Sequence, residues 1–274
     1  MDNTDEITKY LDKHLSKITE DRYFLECYPD CKNTPAWFIK TEPTELVERN
    51  KAIQHYVNSL LNLLKYCPKP TKTTIAMYIP SHDKDVFSNC GKVVAKVADG
   101  ISWLIDGTQY IKRSRTICAK HKSLTCSFDE KSQHDSLAIN ADISGKNIIL
   151  FDDRITRGNT ANLVSDLLYS MGADHVWFIG FDLTDRQAIF TRTQSNEYII
   201  KMVLGCEFFE FKLRRYETNY GFAYLYGTDE KNSVRILQNN KVYATLNGKE
   251  YKIIQIYKQQ RKQNTFVGRI VDNK

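Results

Sequence analysis

The sequence predicts an α/β protein with a mainly parallel sheet flanked by helices, preceded by an N-terminal helical segment and followed by a C-terminal antiparallel, β-rich extension. From residue 73 to residue 181, short apolar runs alternate with amphipathic stretches, a pattern typical of parallel strands joined by crossover helices. After Asp185 the helical periodicity fades, and short alternating segments with hairpin-turn residues follow.

The composition is that of a folded, water-soluble protein. Of the 274 residues, 42% are apolar and 26% are charged, and the 12 glycines and 6 prolines are too few for a disordered or fibrous chain. No run approaches the ~20 consecutive apolar residues that a membrane span requires. The first residues are acidic where a secretory signal would be basic and then apolar. We therefore expect a cytoplasmic protein without a membrane partner.

The seven cysteines are scattered and odd in number, which argues against a disulfide framework and favours a reducing compartment. Cys27 and Cys31 are close enough to share a metal, but no second pair of ligands follows at similar spacing. Buried free thiols are therefore favoured over a zinc site. The net charge of +6 suits a polyanionic substrate, nucleic acid or an acidic partner, and charge alone does not choose among them.

Three regions are expected along the chain: an N-terminal helical and aromatic segment (1–70), an α/β core (71–185) and a β-rich extension (186–274). In the first region, periodicity predicts helices over residues 5–19 and 44–65, with an irregular aromatic stretch over 23–40 between them. The run Cys67-Pro68-Lys69-Pro70 breaks the second helix and marks the predicted boundary.

In the core, apolar runs predict strands and amphipathic stretches predict helices. The strands are expected over residues 74–79, 109–112, 147–151 and 175–181, and the helices over 87–99 and 160–171. Gly172 closes the second helix. This alternation implies right-handed crossovers and a mainly parallel sheet.

In the extension, short alternating segments predict strands over residues 198–204, 207–212, 222–226, 235–238, 241–246 and 250–257. Asn239-Asn240 and Asn247-Gly248 lie between them at hairpin-turn spacing. The extension is therefore expected to be antiparallel.

The segment from Asn147 to Thr160 carries the chemistry that the sequence predicts. Its apolar strand leads directly into Asp152 and Asp153, and parallel strands place their carboxyl ends at the crevice where ligands bind. The polar loop that follows the acids and opens a helix consists of Thr156, Arg157, Gly158, Asn159 and Thr160. Two adjacent carboxylates accept hydrogen bonds from a vicinal diol, directly or through Mg²⁺. Hydroxyls and N–H groups at a helix N-terminus favour a phosphate.

This spacing fits a ribose with a phosphate on its 5′ carbon, with the diol at the two acids and the phosphate at the loop. Gly158 lets the backbone approach such a ligand closely. The alternative is an ordinary strand-to-helix turn in which the acids cap the helix. The coincidence of carboxylates, glycine and hydroxyls after so apolar a strand favours the ligand.

At these residues the sequence resembles the type I phosphoribosyltransferase family, whose motif for phosphoribosyl pyrophosphate (PRPP) is an apolar strand, Asp-Asp or Glu-Asp, several residues and a Thr-Gly-x-Thr-like phosphate loop. A broader resemblance covers about Thr73 to Asp182, where the layout is similar to the ComF-type orphan members. The shared features are the strand 74–79 with Pro80, a helix, the basic stretch 113–116 and the motif strand.

The sequence departs from the family pattern at three points. Arg157 stands where the family usually has a small hydroxyl residue, which implies a guanidinium contact to the phosphate or a different loop geometry. Arg154 stands where a small apolar residue is common, next to the ribose side. ComF-type proteins begin with a paired-cysteine zinc module, whereas this chain begins with a helix and an aromatic segment.

The resemblance also implies a pyrophosphate side of the site. In the family, the loop after the first strand holds pyrophosphate through backbone N–H groups, and Ser81, His82, Asp83 and Lys84 occupy that place here. A mobile basic loop covers the reacting centre in many members. It corresponds to residues 112–131, which include Arg113, Arg115, Lys120, His121 and Lys122. A plain surface turn and a solvated charged face are the respective alternatives.

The resemblance thus implies a phosphoribosyltransferase that uses PRPP and Mg²⁺ and displaces pyrophosphate by a nitrogen nucleophile. Asp152 and Asp153 hold the ribose and contact Mg²⁺ indirectly, and residues 156–160 hold the 5′-phosphate. The acceptor is not identified, since the family binds it in a variable hood, here the N-terminal segment and the extension. A related ribose phosphate as donor and a homodimer both remain open.

Two other classes of function remain. One is a non-catalytic sensor of PRPP or nucleotides that acts through a protein or nucleic-acid partner. The other is a nucleic-acid binder, suggested by basic residues interleaved with aromatic ones near the end of the sequence: Lys249, Lys252, Lys258, Arg261, Lys262 and Arg269 with Tyr251, Tyr257 and Phe266. Alternating Lys and Tyr is also typical of a half-exposed strand, and that interpretation is favoured.

Overall fold

A computed structural model describes residues 3–19, 21–28, 34–40, 46–117, 130–155, 159–184, 187–192, 198–204, 207–213, 216–217, 223–224, 231–236, 241–258 and 265–272. The chain divides into two compact units. The first comprises Met1–Glu26 and Cys31–Leu183, and the second comprises Cys27–Asp30 and Thr184–Lys274.

The first unit alternates helices and strands along most of its length. In chain order its elements are α1 (Thr4–His14), β1 (Ser16–Thr19), β2 (Arg22–Tyr28), α2 (Pro35–Lys40), α3 (Leu46–Lys65), β3 (Thr74–Tyr78), α4 (Asn89–Gly100), β4 (Leu104–Asp106), β5 (Ile111–Arg113), α5 (Glu130–Asp135), β6 (Leu137–Ile139), β7 (Asn147–Ile155), α6 (Asn159–Ser170) and β8 (His175–Thr184).

A mixed sheet lies at the centre of this unit, with strands in the order β1-β2-β8-β7-β3-β4. The strands β4, β3, β7 and β8 run parallel: Met77 of β3 pairs with Leu150 of β7, which pairs with Phe178 of β8. The hairpin of β1 and β2 is antiparallel. The predicted α/β class with a mainly parallel sheet is therefore confirmed.

Helices α1 to α4 pack on one face of the sheet. Their apolar residues share one core with the strand residues Ala76, Tyr78, Ile149, Phe151, Trp177, Ile179 and Phe181. The longest of these helices, α3, contributes a stripe at helical spacing: Ala52, Ile53, Tyr56, Val57, Leu60 and Leu64. Tyr56 stacks on Phe181 with ring centroids 4.8 Å apart. This packing fixes the helices against the strands whose ends carry the predicted site.

Residues 5–19 do not form the single helix that the sequence predicts. Helix α1 ends at His14, and Leu15 is already extended, with φ −121° and ψ 152°. Strand β1 follows and turns back into β2 at Asp21, whose φ of 55° suits a tight turn. The aromatic stretch predicted to be irregular contains β2 and α2, because β2 gains hydrogen-bonded partners in the sheet and buries Tyr23 and Phe24.

Two strand predictions in the core also need correction. Residues 111–113 form β5, but this strand pairs antiparallel with β6 in a separate two-stranded sheet. The outer position of the central sheet, next to β3, belongs to β4, which is too short to produce a visible alternation. Strand β7 continues through Ile155, beyond the predicted apolar run, because its polar residues pair with β8.

The second unit consists of short strands. In chain order they are β9 (Gln187–Arg192), β10 (Tyr198–Leu204), β11 (Glu207–Leu213), β12 (Tyr216–Glu217), β13 (Ala223–Tyr224), β14 (Ser233–Ile236), β15 (Val242–Leu246), β16 (Lys249–Lys258) and β17 (Thr265–Asp272). The sheet order is β11-β10-β9-β17-β16-β15-β14 and every pairing in it is antiparallel. The antiparallel extension is confirmed, although the sequence pattern missed β9, β12 and β17.

One apolar core joins every strand of this seven-stranded sheet. Its buried residues are Ala188, Phe190, Ile200, Met202, Phe211, Val234, Val242, Ala244, Leu246, Tyr251, Ile253 and Ile270. The predicted turn at Asn247-Gly248 joins β15 to β16, with φ values of 52° and 79°. Asn247 also donates a side-chain hydrogen bond to Glu207 at 2.7 Å, so the start of β11 lies beside this turn. The predicted turn at Asn239-Asn240 lies outside the described residues.

The nucleic-acid interpretation depends on aromatic side chains that are exposed for stacking, and Tyr251 is not. It is 8% exposed and belongs to the core of the second unit, whereas its neighbour Lys252 is half-buried. This alternation is that of a half-exposed strand. The side chains of Tyr257 and Phe266 lie outside the described residues, so a nucleic-acid role for the extension stays a prediction.

Two cysteines fit the prediction of buried free thiols, namely Cys67 and Cys90. Burial raises the pKa of Cys67 to about 12. The Cys27 and Cys31 side chains lie outside the described residues. Among the helices that the structure describes, none is both long and apolar enough to cross a membrane.

We expect the Asn147→Leu variant to be more stable than the parent chain. Asn147 is fully buried at the start of β7, and neither polar atom of its side chain has a hydrogen-bond partner among the described residues. Replacing an unsatisfied buried amide by an apolar group of similar shape removes a desolvation cost of about 1–3 kcal/mol. A thermal melt monitored by circular dichroism should show a higher Tm. A lower Tm would mean that the amide is satisfied by internal water.

Candidate active site

The predicted acid pair lies where β7 leaves the interior. Residues 147–151 are buried, whereas Asp152 and Asp153 are partly exposed. The backbone N–H of Asp153 donates to Oδ1 of Asp152 at 2.9 Å. Since β7 has parallel neighbours on both sides, its carboxyl end is the edge of the sheet at which ligands bind in open α/β folds.

Helix α4 begins close to these carboxylates. Ser88 caps the helix by accepting a hydrogen bond from the N–H of Gly91 at 3.1 Å. Burial, together with the nearby charges of Asp153 and Asp152, raises the pKa of the Cys90 thiol well above its usual value. A Cβ on Gly91 would lie 2.9 Å from the Tyr78 ring, so glycine lets α4 approach β3 this closely. The acids therefore lie near the positive end of a helix dipole.

Arg154, one of the departures from the family pattern, forms a buried ion pair. Its Nε lies 2.8 Å from Oδ2 of Asp182, and the two side chains are 13% and 0% exposed. The pair spans adjacent strands, because Arg154 of β7 is in register with Asp182 of β8. Gly180 lies opposite Asp152 in the same register, and a Cβ there would lie 2.3 Å from the Ile155 side chain. These contacts hold the polar end of β7 in the sheet.

The phosphate loop is described only at its end. Thr156, Arg157 and Gly158 lie outside the described residues, as does the side chain of Asn159. Helix α6 begins at Asn159, and Thr160 in its first turn is partly exposed. The strand and the helix on which the prediction depends are therefore present, and contacts from residues 156–160 to a phosphate stay a prediction.

The loop after β3 adjoins the acid pair. The N–H of Ile79 donates to the carbonyl of Phe151 at 2.9 Å, next to Asp152. From there the chain continues into Ser81 and His82, and the carbonyl of His82 accepts a hydrogen bond from the N–H of Ile117 at 2.9 Å. The structure thus brings the predicted pyrophosphate loop and the start of the basic segment together beside the acids.

Arg113 is the centre of this contact. It is 7% exposed, and it donates to the carbonyl of Ser81 at 3.2 Å, to Gln133 through the carbonyl at 3.2 Å and Oε1 at 2.9 Å, and to the hydroxyl of Ser136. Burial lowers the pKa of Arg113 to about 10, so the guanidinium is still charged at neutral pH. Arg113 therefore links the loop after β3 to α5 through hydrogen bonds. Direct contact between Arg113 and pyrophosphate stays a prediction.

The other residues predicted for the pyrophosphate side lie nearer the surface. The N–H of Lys84 donates to the hydroxyl of Thr116 at 3.1 Å, and the N–H of Asp83 donates to the hydroxyl of Ser81 at 3.4 Å. Nε2 of His82 lies 3.2 Å from Oδ2 of Asp83. Arg115 is exposed and contacts the hydroxyl of Ser132 at 3.4 Å. Lys120, His121 and Lys122 lie outside the described residues.

Sequence reasoning missed the residues that support this site, chiefly Asp182, Gln133 and Ser136. Asp182 carried a weak signal, because a lone carboxylate in an apolar strand requires a buried partner. Gln133 and Ser136 carried none, since their role depends on where α5 brings them. The described residues contain no group of three or more His, Cys, Asp or Glu side chains that could hold a metal ion.

No family model matches the chain, and no curated protein matches it. Similar solved structures include a hypoxanthine phosphoribosyltransferase from Staphylococcus aureus, at 14% identity over 51% of this chain and 73% of that chain with a TM-score of 0.34. An adenine phosphoribosyltransferase from Leishmania tarentolae matches at 14% identity over 62% of this chain and 94% of that chain, with a TM-score of 0.36. A hypoxanthine-guanine phosphoribosyltransferase from Bacillus anthracis matches at 16% identity over 47% and 66%, with a TM-score of 0.30. TM-scores this low carry no argument about function.

Proposed function

We propose that the protein is a phosphoribosyltransferase that transfers the phosphoribosyl group of PRPP to a nitrogen nucleophile. The observation that carries this proposal is the position of Asp152 and Asp153. The two acids are partly exposed toward the carboxyl end of β7, directly after its buried residues and shortly before helix α6 begins. This is the position that a ribose phosphate requires, with its diol at the acids and its phosphate at the helix N-terminus.

In this proposal the chain contributes position and charge. Asp152 and Asp153 accept hydrogen bonds from the ribose hydroxyls and hold the anomeric carbon at one place. Residues 156–160 and the N-terminus of α6 hold the 5′-phosphate. As pyrophosphate leaves, positive charge develops on the ribose, and the two carboxylates stabilise it. The lone pair of the nitrogen nucleophile forms a bond to the anomeric carbon while the bond from that carbon to the pyrophosphate oxygen breaks. Pyrophosphate takes the bonding electrons, and the nitrogen releases its proton to water.

The donor atoms at this edge fit Mg²⁺ held indirectly. Mg²⁺ prefers oxygen ligands and is commonly bound by one or two carboxylates together with substrate oxygens and water, which is what Asp152 and Asp153 can offer. When bound, the ion would neutralise charge on the pyrophosphate. Lys84 and Arg115 would contribute further positive charge on that side, and His82 would contribute a hydrogen-bonding imidazole.

Calorimetry with PRPP and Mg²⁺, alongside a pyrophosphate-release assay with a panel of nucleobases and amines, tests this function. We expect PRPP to bind, and at least one nitrogen acceptor to release pyrophosphate. A ligand present at about 100 times its Kd stabilises the folded chain by about 2.7 kcal/mol, so PRPP should also raise the Tm more than nucleoside monophosphates or ADP-ribose do. No binding of PRPP, or a preference for ADP-ribose, would contradict the proposal.

A second candidate function is that of a sensor, which binds PRPP or a nucleotide without catalysing a reaction. Specific contacts of the predicted pyrophosphate loop favour this function. The guanidinium of Arg113 is already bonded to protein partners, and the N–H groups of Asp83 and Lys84 donate to the hydroxyls of Ser81 and Thr116. Pyrophosphate would have to displace these bonds, whereas ribose binding at the acids would not. Binding of PRPP without pyrophosphate release in the same assay would identify the sensor.

The acceptor, the ComF-type layout and the role of residues 1–70 as a hood belong to the same proposal. In the first unit, α2 packs on β7 and α4, and Asn89 at the start of α4 donates to the carbonyl of Ile39 at 3.0 Å. The N-terminal segment therefore packs next to the strand that carries Asp152 and Asp153. We propose that the acceptor binds between this segment and the two acids. A homodimer, cytoplasmic location and a protein or nucleic-acid partner stay predictions.

A further inference from the structure

A cavity lies in the first unit, and its lining residues do not include the acid pair. It has a volume of about 470 Å³ and is bordered by α1, the end of β2 and the second half of α3. In the central sheet, β8 separates β2 from β7. None of the residues that line this cavity belongs to the segments around Asp152, so it can bind a ligand independently of the candidate active site.

Rings and polar groups share the walls of this cavity. The side chains important for recognition are Tyr10, His14, Glu26, Ser59, Asn62 and Tyr66. Ser59 and Asn62 lie three positions apart on α3, which places them on one helical stripe. Tyr66 follows directly after the helix ends at Lys65. This stripe adjoins the apolar stripe that α3 buries against the sheet. The cavity thus combines aromatic surface with a few hydrogen-bonding groups, as small-molecule sites do.

Two of these wall groups are already fixed in position. The hydroxyl of Tyr10 donates to the carbonyl of Leu63 at 2.7 Å, and the ring of Tyr10 packs against His14 with centroids 4.3 Å apart. Nε2 of His55 lies 2.5 Å from Oε1 of Glu26, which orients the carboxylate. Because these side chains are ordered before a ligand arrives, binding costs less conformational entropy.

We propose that this cavity binds a flat heteroaromatic molecule that carries an amino or amidine group. The ring packs against Tyr10 and Tyr66, since aromatic surfaces favour stacked or edge contacts with another ring. The amino group donates to the carboxylate of Glu26, and a positive charge on it strengthens the hydrogen bond. An anionic ring of similar size is disfavoured, because it would face the same carboxylate.

Titration with 2-aminobenzimidazole, monitored by calorimetry, tests this site, and 2-naphthoate serves as the anionic ring of similar size. We expect 2-aminobenzimidazole to bind and the naphthoate not to bind. Glu26→Gln and Tyr66→Leu should each raise the Kd for 2-aminobenzimidazole about tenfold or more, which corresponds to the loss of one charge-assisted hydrogen bond or one ring contact. Tyr66 is 70% exposed, so its replacement should leave the fold unchanged.

Two control variants test whether 2-aminobenzimidazole binds in this cavity. Glu48→Gln removes an acid of α3 that pairs with Lys51 and does not line the cavity, so it should leave the Kd unchanged. The Asp152→Asn, Asp153→Asn variant should also bind 2-aminobenzimidazole as the parent does, whether or not PRPP binds at the acids. The inference is wrong if 2-aminobenzimidazole does not bind, if Glu26→Gln and Tyr66→Leu leave its Kd unchanged, or if the acid-pair variant abolishes its binding.

Discussion

Replacing Asp152 and Asp153 together by Asn is expected to abolish the rise in Tm that PRPP with Mg²⁺ produces. Each carboxylate accepts a hydrogen bond from the ribose diol in the proposed complex, and a hydrogen bond to a charged group contributes about 1.5–3 kcal/mol. Loss of both weakens PRPP binding by about 100-fold or more. Differential scanning fluorimetry of parent and variant, with and without PRPP and Mg²⁺, measures this effect.

A matched control carries the same change of charge away from the acid pair. Asp99 at the end of α4 and Asp135 at the end of α5 are both exposed, so the Asp99→Asn, Asp135→Asn variant should keep the full response to PRPP. The proposed ribose site would be contradicted if the acid-pair variant responded like the parent. It would also be contradicted if both double variants lost the response equally, because the effect would then follow net charge.

Replacing Arg154 by Met is expected to lower the free energy of unfolding of the first unit by about 3–5 kcal/mol, because it leaves the fully buried carboxylate of Asp182 without its partner charge. Thermal melts monitored by circular dichroism should show a large fall in Tm. The change also removes a contact that holds β7 to β8 two residues beyond Asp152, so PRPP affinity should fall with it.

The Arg154→Met, Asp182→Leu double variant distinguishes a lost charge balance from a general packing defect. Replacing both members of a buried ion pair by apolar residues is often neutral or stabilising, so the double variant should recover most of the lost Tm. An Arg154→Met variant as stable as the parent would mean that solvent reaches the carboxylate of Asp182. A double variant less stable than the single one would show that Asp182 has other essential partners.

The end of β7 shows which part of the candidate site can be predicted from the sequence. The apolar run before Asp152 is long enough to identify a buried strand, and the acids after it identify a ligand edge. The strand nevertheless extends to Ile155, because Arg154 finds Asp182 on the neighbouring strand and Ile155 packs over Gly180. Partners so distant in sequence leave no local periodicity.

The prediction for the N-terminal hairpin failed for a different physical reason. The segment 16–19 is short and mostly polar, so its sequence favours a helix and a strand almost equally, and pairing with β2 decides between them. The predicted pyrophosphate side lies between these cases. The sequence predicts its residues from their place in the chain, whereas the burial of Arg113 depends on Gln133 and Ser136, which accept its hydrogen bonds.

The position of β17 constrains how the second unit reaches its folded state. This strand follows every other strand of the unit in sequence, yet it lies between β9 and β16 in the interior of the sheet. Until it docks, the β9–β11 meander and the β14–β16 meander have no strand joining them. Contacts between chain segments so far apart form slowly, and each meander meanwhile presents an unpaired edge, which is where strands associate between molecules. Residues 265–272 therefore complete this sheet by joining its two halves. A partially synthesised or clipped chain that lacks them is expected to aggregate more readily than the full chain, because both edges stay unpaired.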